Sequence, residues 1–288
     1  MMQRPFRNRL FFLLLLLAAS ASSTPDLVVR GRVAGQQAGN QPQPLAFANI
    51  GIRGRNVGTT ADEAGRFQLS IPAALSRDSV TFSALGYYAR TVAVATLAAH
   101  PDTLLVLPAR PQALPDVSVK AAGQPRTQVL GKTRGSSVSG FVVGKGGGAE
   151  IARLMQPRRF PVFLDQTQVY ITRNQAPSFR LRLRLYARDP ATGRPGADLL
   201  HESILIDSSL RQGWLTTDLR SYNLQLTEPF FVAYEWLEAD VNNPRIAIQG
   251  TRGDGAVFAR AVSQGQWGPA HDFNWVINAQ VTSYGPAQ

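Results

Sequence analysis

Three stretches of this 288-residue chain carry side chains whose types and spacing could do chemistry. The first is YEWLEAD, which brings Glu235, Glu238 and Asp240 together. A glycoside hydrolase uses two carboxyl groups flanking the scissile bond, one as acid and one as base or nucleophile. Even spacing on a strand puts side chains on one face, so Glu238 and Asp240 share a face and Glu235 points elsewhere. Both acids fall where the strand enters the turn DVNNP, where solvated acids are ordinary, and no catalytic residue is assigned. Asp240, Asn242 and Asn243 offer oxygens to calcium but lack the defined spacing of a ligand loop.

The second stretch is SFRLRLRLYAR. Phe179, Leu181, Leu183 and Leu185 share one strand face and Arg180, Arg182 and Arg184 the other, about 7 Å apart along the strand. A row of guanidinium groups could bind phosphate, sulfate or carboxylate on an envelope polymer. The plainer reading is a solvated sheet face whose charges discourage edge pairing. Arg153, Arg158, Arg159 and Arg173 could add to the same side; between positions 153 and 194 nine arginines face only Asp165 and Asp189.

The third is FVVGKGGGAEIARLM. Gly144, Gly146 and Ala149 fit G-x-G-x-x-G/A, with Asp165 about twenty residues on, the fingerprint of a dinucleotide site. That fold needs repeated strand–helix crossovers. Only AEIARLMQ reads as a helix, about two turns, and Pro157 stops it. Lys145 lacks the Ser/Thr that follows the lysine of a phosphate loop. The stretch reads as a glycine loop and a short helix, and no cofactor is expected.

All four tryptophans, Trp214, Trp236, Trp267 and Trp275, lie in the second half of the chain. Trp214 and Trp236 sit inside apolar strands and read as core. Trp267, in the loop-like QGQWGPAHD, is the candidate for stacking on a sugar ring. The only histidines are His100, His201 and His271, with no His-x-x-Glu between them, so no zinc site is expected. No G-x-S-x-G is present. Cysteine is absent, which removes disulfides and thiolate metal sites.

The start, MMQRPFRNRLFFLLLLLAASASSTPD, has Arg4, Arg7 and Arg9, then an apolar run from Leu10 to Ala19, then Ala19-Ser20-Ala21. It reads as a secretory signal peptide over residues 1–21. The apolar run is about half the roughly 20 residues a spanning helix needs. The formal charge is +11. Such a charge would suit nucleic acid, but export and the absence of a nucleic-acid motif argue against that partner.

The elements that must position these groups read as strands. LVVRGRV, FANIGIRG, RFQLSI, SVTFSAL and DTLLVLP alternate and are punctuated by Gly, Pro, Asn or Asp. They predict an antiparallel sandwich over residues 27–110. VAVATLAAH, the nearest approach to a helical period, reads as a strand and a turn. Asp62-Glu-Ala-Gly65 suits a tight turn, after which Phe67, Leu69 and Ile71 alternate into a core. Asp62 and Gly65 are therefore turn makers.

Residues 111–139 read as a linker. Over 140–286, PVFLDQTQVYIT, SFRLRLRLYAR, ESILID, GWLTTDL, EPFFVAYEWLE, PRIAIQG, AVFARAV and FNWVINAQVTS predict a second sandwich of jelly-roll type.

Over residues 27–110 a family resemblance becomes specific. Gly31-x-Val33, PLAFANIGIRG, NVGTTADEAGRFQLSIP and VTFSALGY resemble the carboxypeptidase-regulatory-like domain. Gly58, Thr59, Asp62, Gly65 and Phe67 match its G-T-x-T-D-x-x-G-x-F pattern, with the second threonine shifted by one. Ser83, Gly86 and Tyr87 match its closing S-x-x-G-Y. The resemblance implies a transthyretin-like sandwich. In metallocarboxypeptidases this module follows a zinc peptidase domain, and in TonB-dependent receptors it precedes a plug and a large barrel; neither fits the remaining chain. Residues 140–285 resemble the C-terminal region of exported proteins that carry such a module and have no assigned function.

The sequence thus predicts an all-β, non-enzymatic exported protein of two β-sandwich domains. The first is expected to scaffold or dock and the second to bind or interact at the cell envelope. A glycan-binding module or glycan hydrolase is the alternative. Expected partners are envelope proteins or anionic glycans, in the periplasm or at the outer membrane or cell surface. No transmembrane span is expected in the mature chain.

Overall fold

The computed structural model describes residues 25–111, 123–136, 138–140, 147–237, 246–253, 255–270 and 273–285. Residues 1–24, with the expected signal peptide, and Gly144, Lys145, Gly146, Glu238, Asp240, Asn242, Asn243 and His271 lie outside them. Among the described residues no helix is long and apolar enough to cross a membrane, and no group of His, Cys, Asp and Glu could hold a metal ion.

The protein is all-β. Its first eight strands are β1 (Leu27–Gln36), β2 (Gln43–Pro44), β3 (Asn49–Gly51), β4 (Gly58–Thr60), β5 (Arg66–Ile71), β6 (Ser79–Ser83), β7 (Arg90–Ala93) and β8 (Thr103–Pro108). β1, β2, β5 and β8 form one four-stranded sheet, and β3, β4, β6 and β7 another. Along β5 the pattern of the sequence is realised: Phe67, Leu69 and Ile71 are buried while Arg66, Gln68 and Ser70 are exposed. They pack with Val29, Val33, Ile50, Phe82, Leu105 and Leu107 in one apolar core.

The turn before β5 is built as its residues dictate. Asp62 accepts hydrogen bonds from the backbone N–H of Ala64 (2.9 Å) and Arg66 (2.8 Å). Gly65 adopts φ +73°, and a Cβ there would stand 2.4 Å from the Val33 carbonyl oxygen.

Two features depart from the expected antiparallel sandwich. β8 runs parallel to β1, which requires a crossover, and the strands of the other sheet supply it. VAVATLAAH divides into the end of β7 and a short helix, α1 (Val94–Ala99), rather than a strand and a turn. Val94 and Leu97, three residues apart, are its buried face, and alanine fills most of the rest.

The second group of strands opens with β9 (Gln124–Gly131), β10 (Val138–Gly140), β11 (Ala149–Met155), β12 (Val162–Asn174), β13 (Phe179–Arg188), β14 (Pro195–Asp198) and β15 (Ile204–Ser208). There follow β16 (Gly213–Asp218), β17 (Gln225–Leu226), β18 (Phe230–Trp236), β19 (Ile246–Thr251), β20 (Val257–Arg260), β21 (Gly268–Pro269), β22 (Asn274–Trp275) and β23 (Ile277–Gly285). An eight-stranded sheet runs β10-β19-β12-β23-β9, with β16, β17 and β22 attached. A seven-stranded sheet runs β14-β13-β18-β11-β20-β21, with β15 attached. Between them lies the larger core, where Leu181, Leu183, Leu185, Val232 and Tyr234 meet Val169, Ile171, Ile277, Ala279 and Val281. Tyr234 spans it, donating to Thr167 Oγ1 at 3.1 Å.

The segment expected as a linker contributes β9, which pairs with β23 over eight residues. Only Leu130 of β9 is buried; the backbone of β23, rather than its own apolar content, holds it. AEIARLMQ is likewise a strand, not a helix. β11 lies between β18 and β20, and six of its seven residues are buried. A strand covered on both faces loses the alternation that marks a half-buried one, and Ala, Glu, Arg, Leu and Met are good helix formers.

Candidate functional site

The outer face of the seven-stranded sheet brings the charged residues together. The register sets Arg182 opposite Glu235, Glu235 opposite Glu150, and Glu150 opposite Arg260, across β13, β18, β11 and β20. Arg184 and Tyr186 continue the same face of β13 at the two-residue period. Two carboxylates side by side repel each other, and this pair is flanked by a guanidinium at each end.

The first half of the row reaches the N-terminal sheets. Arg182 donates from Nε to Glu235 Oε2 (2.7 Å), from one terminal nitrogen to the Phe47 carbonyl (2.8 Å) and from the other to Asn49 Oδ1 (2.9 Å). Arg184 donates to the same Asn49 oxygen (3.1 Å) and pairs with Asp198 at 2.5 Å. Asn49, on β3, donates from Nδ2 to Glu235 Oε1 (2.7 Å) and Ser263 Oγ (2.9 Å). Arg182 is 2% exposed and Glu235 0%.

Backbone approaches this face closely where glycine allows it. A Cβ on Gly58 would stand 1.9 Å from the Ser263 carbonyl oxygen, and one on Gly51, its cross-strand partner, 2.7 Å. Gln264 bonds Ser83 Oγ (2.8 Å), and Thr60 bonds the Leu237 carbonyl (3.4 Å).

The second half is closed by the loop that follows β20. Tyr186 donates to Glu150 Oε2 (2.8 Å), and Arg260 Nε donates to Glu150 Oε1 (3.0 Å). Trp267 meets Tyr186 edge to face at 5.7 Å between centroids, and the Arg260 guanidinium sits 4.7 Å from the Trp267 ring centre. Three guanidiniums (Arg182, Arg184, Arg260) thus face three carboxyl groups (Glu150, Asp198, Glu235), with Arg182, Arg184, Glu150 and Glu235 buried and Asp198 and Arg260 at the half-buried ends.

The electrostatics separate the two glutamates. Burial by itself would raise Glu235, but Arg182 and Arg184 hold it down to about 2. Burial raises Glu150, and the neighbouring Glu235 adds to this against the pull of Arg260. Burial also pushes the Tyr186 hydroxyl well up. Carboxyl groups driven apart in this way can divide acid and base roles in a catalytic pair. Here both have no exposed surface, and their oxygens are taken by arginine, asparagine and tyrosine.

The structure therefore corrects the solvated reading of the arginine row. Only Arg180 lies at its rim, bridging Glu63 of the N-terminal sheets and Asp207 of β15. Arg182 spends its donors on Glu235, Phe47 and Asn49, and Arg184 its terminal nitrogens on Asn49, Asp198 and Glu235. Arg153 lies on the opposite face, donating to the Trp275 carbonyl (Nε, 3.0 Å), and burial lowers it to about 10. Trp267, expected in an open loop, is 9% exposed because Tyr186 and Arg260 pack against it. Trp214 and Trp236 are half-buried rather than fully enclosed.

Sequence reasoning missed Asn49, Glu150, Tyr186, Asp198, Arg260 and Ser263. One signal was present: Glu235 stands inside the apolar run FFVAYEW, where a lone carboxylate needs a buried partner.

No protein-family model matches the chain, and no curated protein matches it. Among solved structures it is similar to the cysteine protease and lectin-like domains of Cwp84, a surface layer associated protein of Clostridium difficile. Identity there is 9% and the TM-score 0.39, over 91% of this chain and 59% of that one. The same clostridial protease after propeptide cleavage gives 8% and 0.41, over 89% and 65%. A structure of infectious bursal disease virus, Gt strain, gives 11% and 0.27, over 90% and 55%. The chain spans between 55% and 65% of the length of these solved chains. At such TM-scores the likenesses carry no argument about activity.

Proposed function

We propose that the protein is a non-enzymatic, exported component of the cell envelope, with a docking or scaffold unit in residues 27–110 and a binding unit in residues 140–286. The supporting observation is that Glu235, Arg182 and Arg184 are consumed in the contact between the two sheet pairs, and Glu150, Arg260 and Tyr186 in bonds to one another beside it. Buried charge that is paired with opposite charge specifies one arrangement of its surroundings more than it adds stability. A scaffold needs that property. The resemblance of residues 27–110 to the carboxypeptidase-regulatory-like module and the leader-like first 21 residues support the envelope assignment.

The second reading is a glycan hydrolase, favoured by the side-by-side Glu150 and Glu235. One experiment addresses both: the secreted protein and its Glu235→Gln variant are assayed for reducing-end release on envelope and plant polysaccharides, and cross-linked in cells. The scaffold reading expects no turnover by either protein and discrete cross-links to envelope proteins. Turnover that Glu235→Gln abolishes would replace it with the hydrolase.

A further inference from the structure

The larger sheet has an outer face on the far side of the core from the Asn49–Glu235 contact. Val169, Leu215, Ile277, Ala279 and Val281 point into the core, so their neighbours along β16, β12 and β23 point away from it. The register aligns those neighbours in rows: Trp214 opposite Tyr170, Thr216 opposite Gln168, and Gln166 opposite Gln280.

Each end of this face carries an aromatic pair. Trp214 and Tyr170 meet at 5.2 Å between centroids, with ring planes at 89°. A bulge between Leu164 and Gln166 changes the facing of β12, and Phe163, itself buried, meets Tyr284 at 5.8 Å. The two pairs are roughly 20 Å apart along β12, seven residues at about 3.3 Å each. Between them lie side-chain amides and hydroxyls, with Gln168 Nε2 donating to Thr216 Oγ1 at 2.8 Å. Trp214, Tyr170, Gln166, Gln168 and Gln280 are all half-buried, so each keeps part of its surface open to solvent.

In a chain of formal charge +11, the only acidic or basic side chain among the described residues of the central rows on β12 and β23 is Asp165, an acid at the β12 bulge that accepts from Thr282 of β23 at 2.6 Å. Asp218, at the β16 margin, is paired with Arg220 at 2.5 Å. An anionic partner would therefore be drawn to other surfaces. A pyranose chain offers apolar C–H faces, which suit aromatic rings, and hydroxyls that both donate and accept. Amide side chains also do both. A protein partner would instead call for a larger continuous apolar patch at the centre.

We infer that this face is a binding platform for a neutral polysaccharide, with Trp214 and Tyr170 stacking on sugar rings and Gln166, Gln168 and Gln280 bonding the hydroxyls. The inference rests on reading residues 140–286 as a binding unit and names its ligand class. The competing role for Trp214 is stabilisation of the outer strand β16 through its cross-strand partner.

The test is affinity electrophoresis of the full secreted chain in gels containing xylan, mixed-linkage β-glucan or mannan, with alginate as the anionic probe. The platform predicts retardation by at least one neutral polymer, insensitive to added salt. Affinity falls about tenfold in Trp214→Ala, the equivalent of one lost aromatic contact. The Gln166→Ala/Gln280→Ala double variant, which leaves the core and the aromatic pairs intact, weakens it several-fold and keeps the assay decisive if Trp214→Ala misfolds. Retardation by no neutral polymer, by alginate alone, or unchanged in the folded variants would overturn the inference. Envelope-protein cross-links without glycan retardation would overturn the platform and leave the scaffold reading intact. Release of reducing ends from a retained polymer would overturn the non-enzymatic reading and leave the platform standing.

Discussion

Asn49 and Glu235, 186 residues apart in the chain, are joined by a buried hydrogen bond of 2.7 Å. One belongs to the N-terminal sheets and the other to the seven-stranded sheet, so the bond ties the two halves together at the centre of the charge cluster. Because Asn49 also accepts from Arg182 and Arg184 and donates to Ser263, it is the neutral hub around which the charges are arranged.

Removing the central carboxylate exposes what it balances. Glu235→Ala leaves Arg182 and Arg184 buried without their shared partner, and breaking a buried pair costs about 3–5 kcal/mol. The expected outcome is a much lower urea midpoint. Asn49→Ala strands donors on both arginines and is expected to cost about 1–3 kcal/mol.

Acid should act through Glu235. Its folded value, about 2, lies below the ordinary 4.5, so its stabilisation is present above about 4.5 and is lost as pH falls toward 2. Glu150 has the opposite sign: its folded value is raised, so its contribution is present when it is protonated and is lost as pH rises through that value. Denaturation midpoints against pH should therefore flatten in Glu235→Gln below pH 4.5. Glu150→Gln should remove the part of the profile in which stability falls as pH rises above 4.5, and a profile left unchanged in Glu150→Gln would refute the sign.

The close backbone approach at Ser263 gives a test confined to the contact. Gly58→Ala places a Cβ against a backbone oxygen that has no side-chain freedom. Hydrogen exchange should rise at residues 262–265 and along β3 and β4, while protection on β12 and β23 stays unchanged.

The turn before β5 offers an independent control. Gly65→Ala forces a left-handed alanine at about 1–2 kcal/mol and presses its Cβ on the Val33 carbonyl. Asp62→Ala removes the acceptor for two backbone N–H groups. Both should lower the melting temperature without changing hydrogen exchange at residues 262–265.

Much of the architecture is written locally. Phe67, Leu69 and Ile71 declare a half-buried strand by their period, Asp62 and Gly65 declare its turn, and all eight strands expected after Pro161 are present. β11 and β9 were not legible. The first is buried on both faces and loses its period, and the second is held by a neighbouring backbone rather than by its own side chains.

The arginine row marks the boundary between the two kinds of information. Alternation along SFRLRLRLYAR fixed that Arg180, Arg182 and Arg184 share a face, because side-chain direction on a strand follows from backbone geometry alone. Whether water or another part of the protein covers that face depends on groups far away in sequence: Asn49 and Phe47 on one side, Glu235 and Asp198 on the other. A polar face matched by a polar partner has the same local pattern as one matched by solvent, so only the tertiary structure could distinguish a solvated strip from a buried junction.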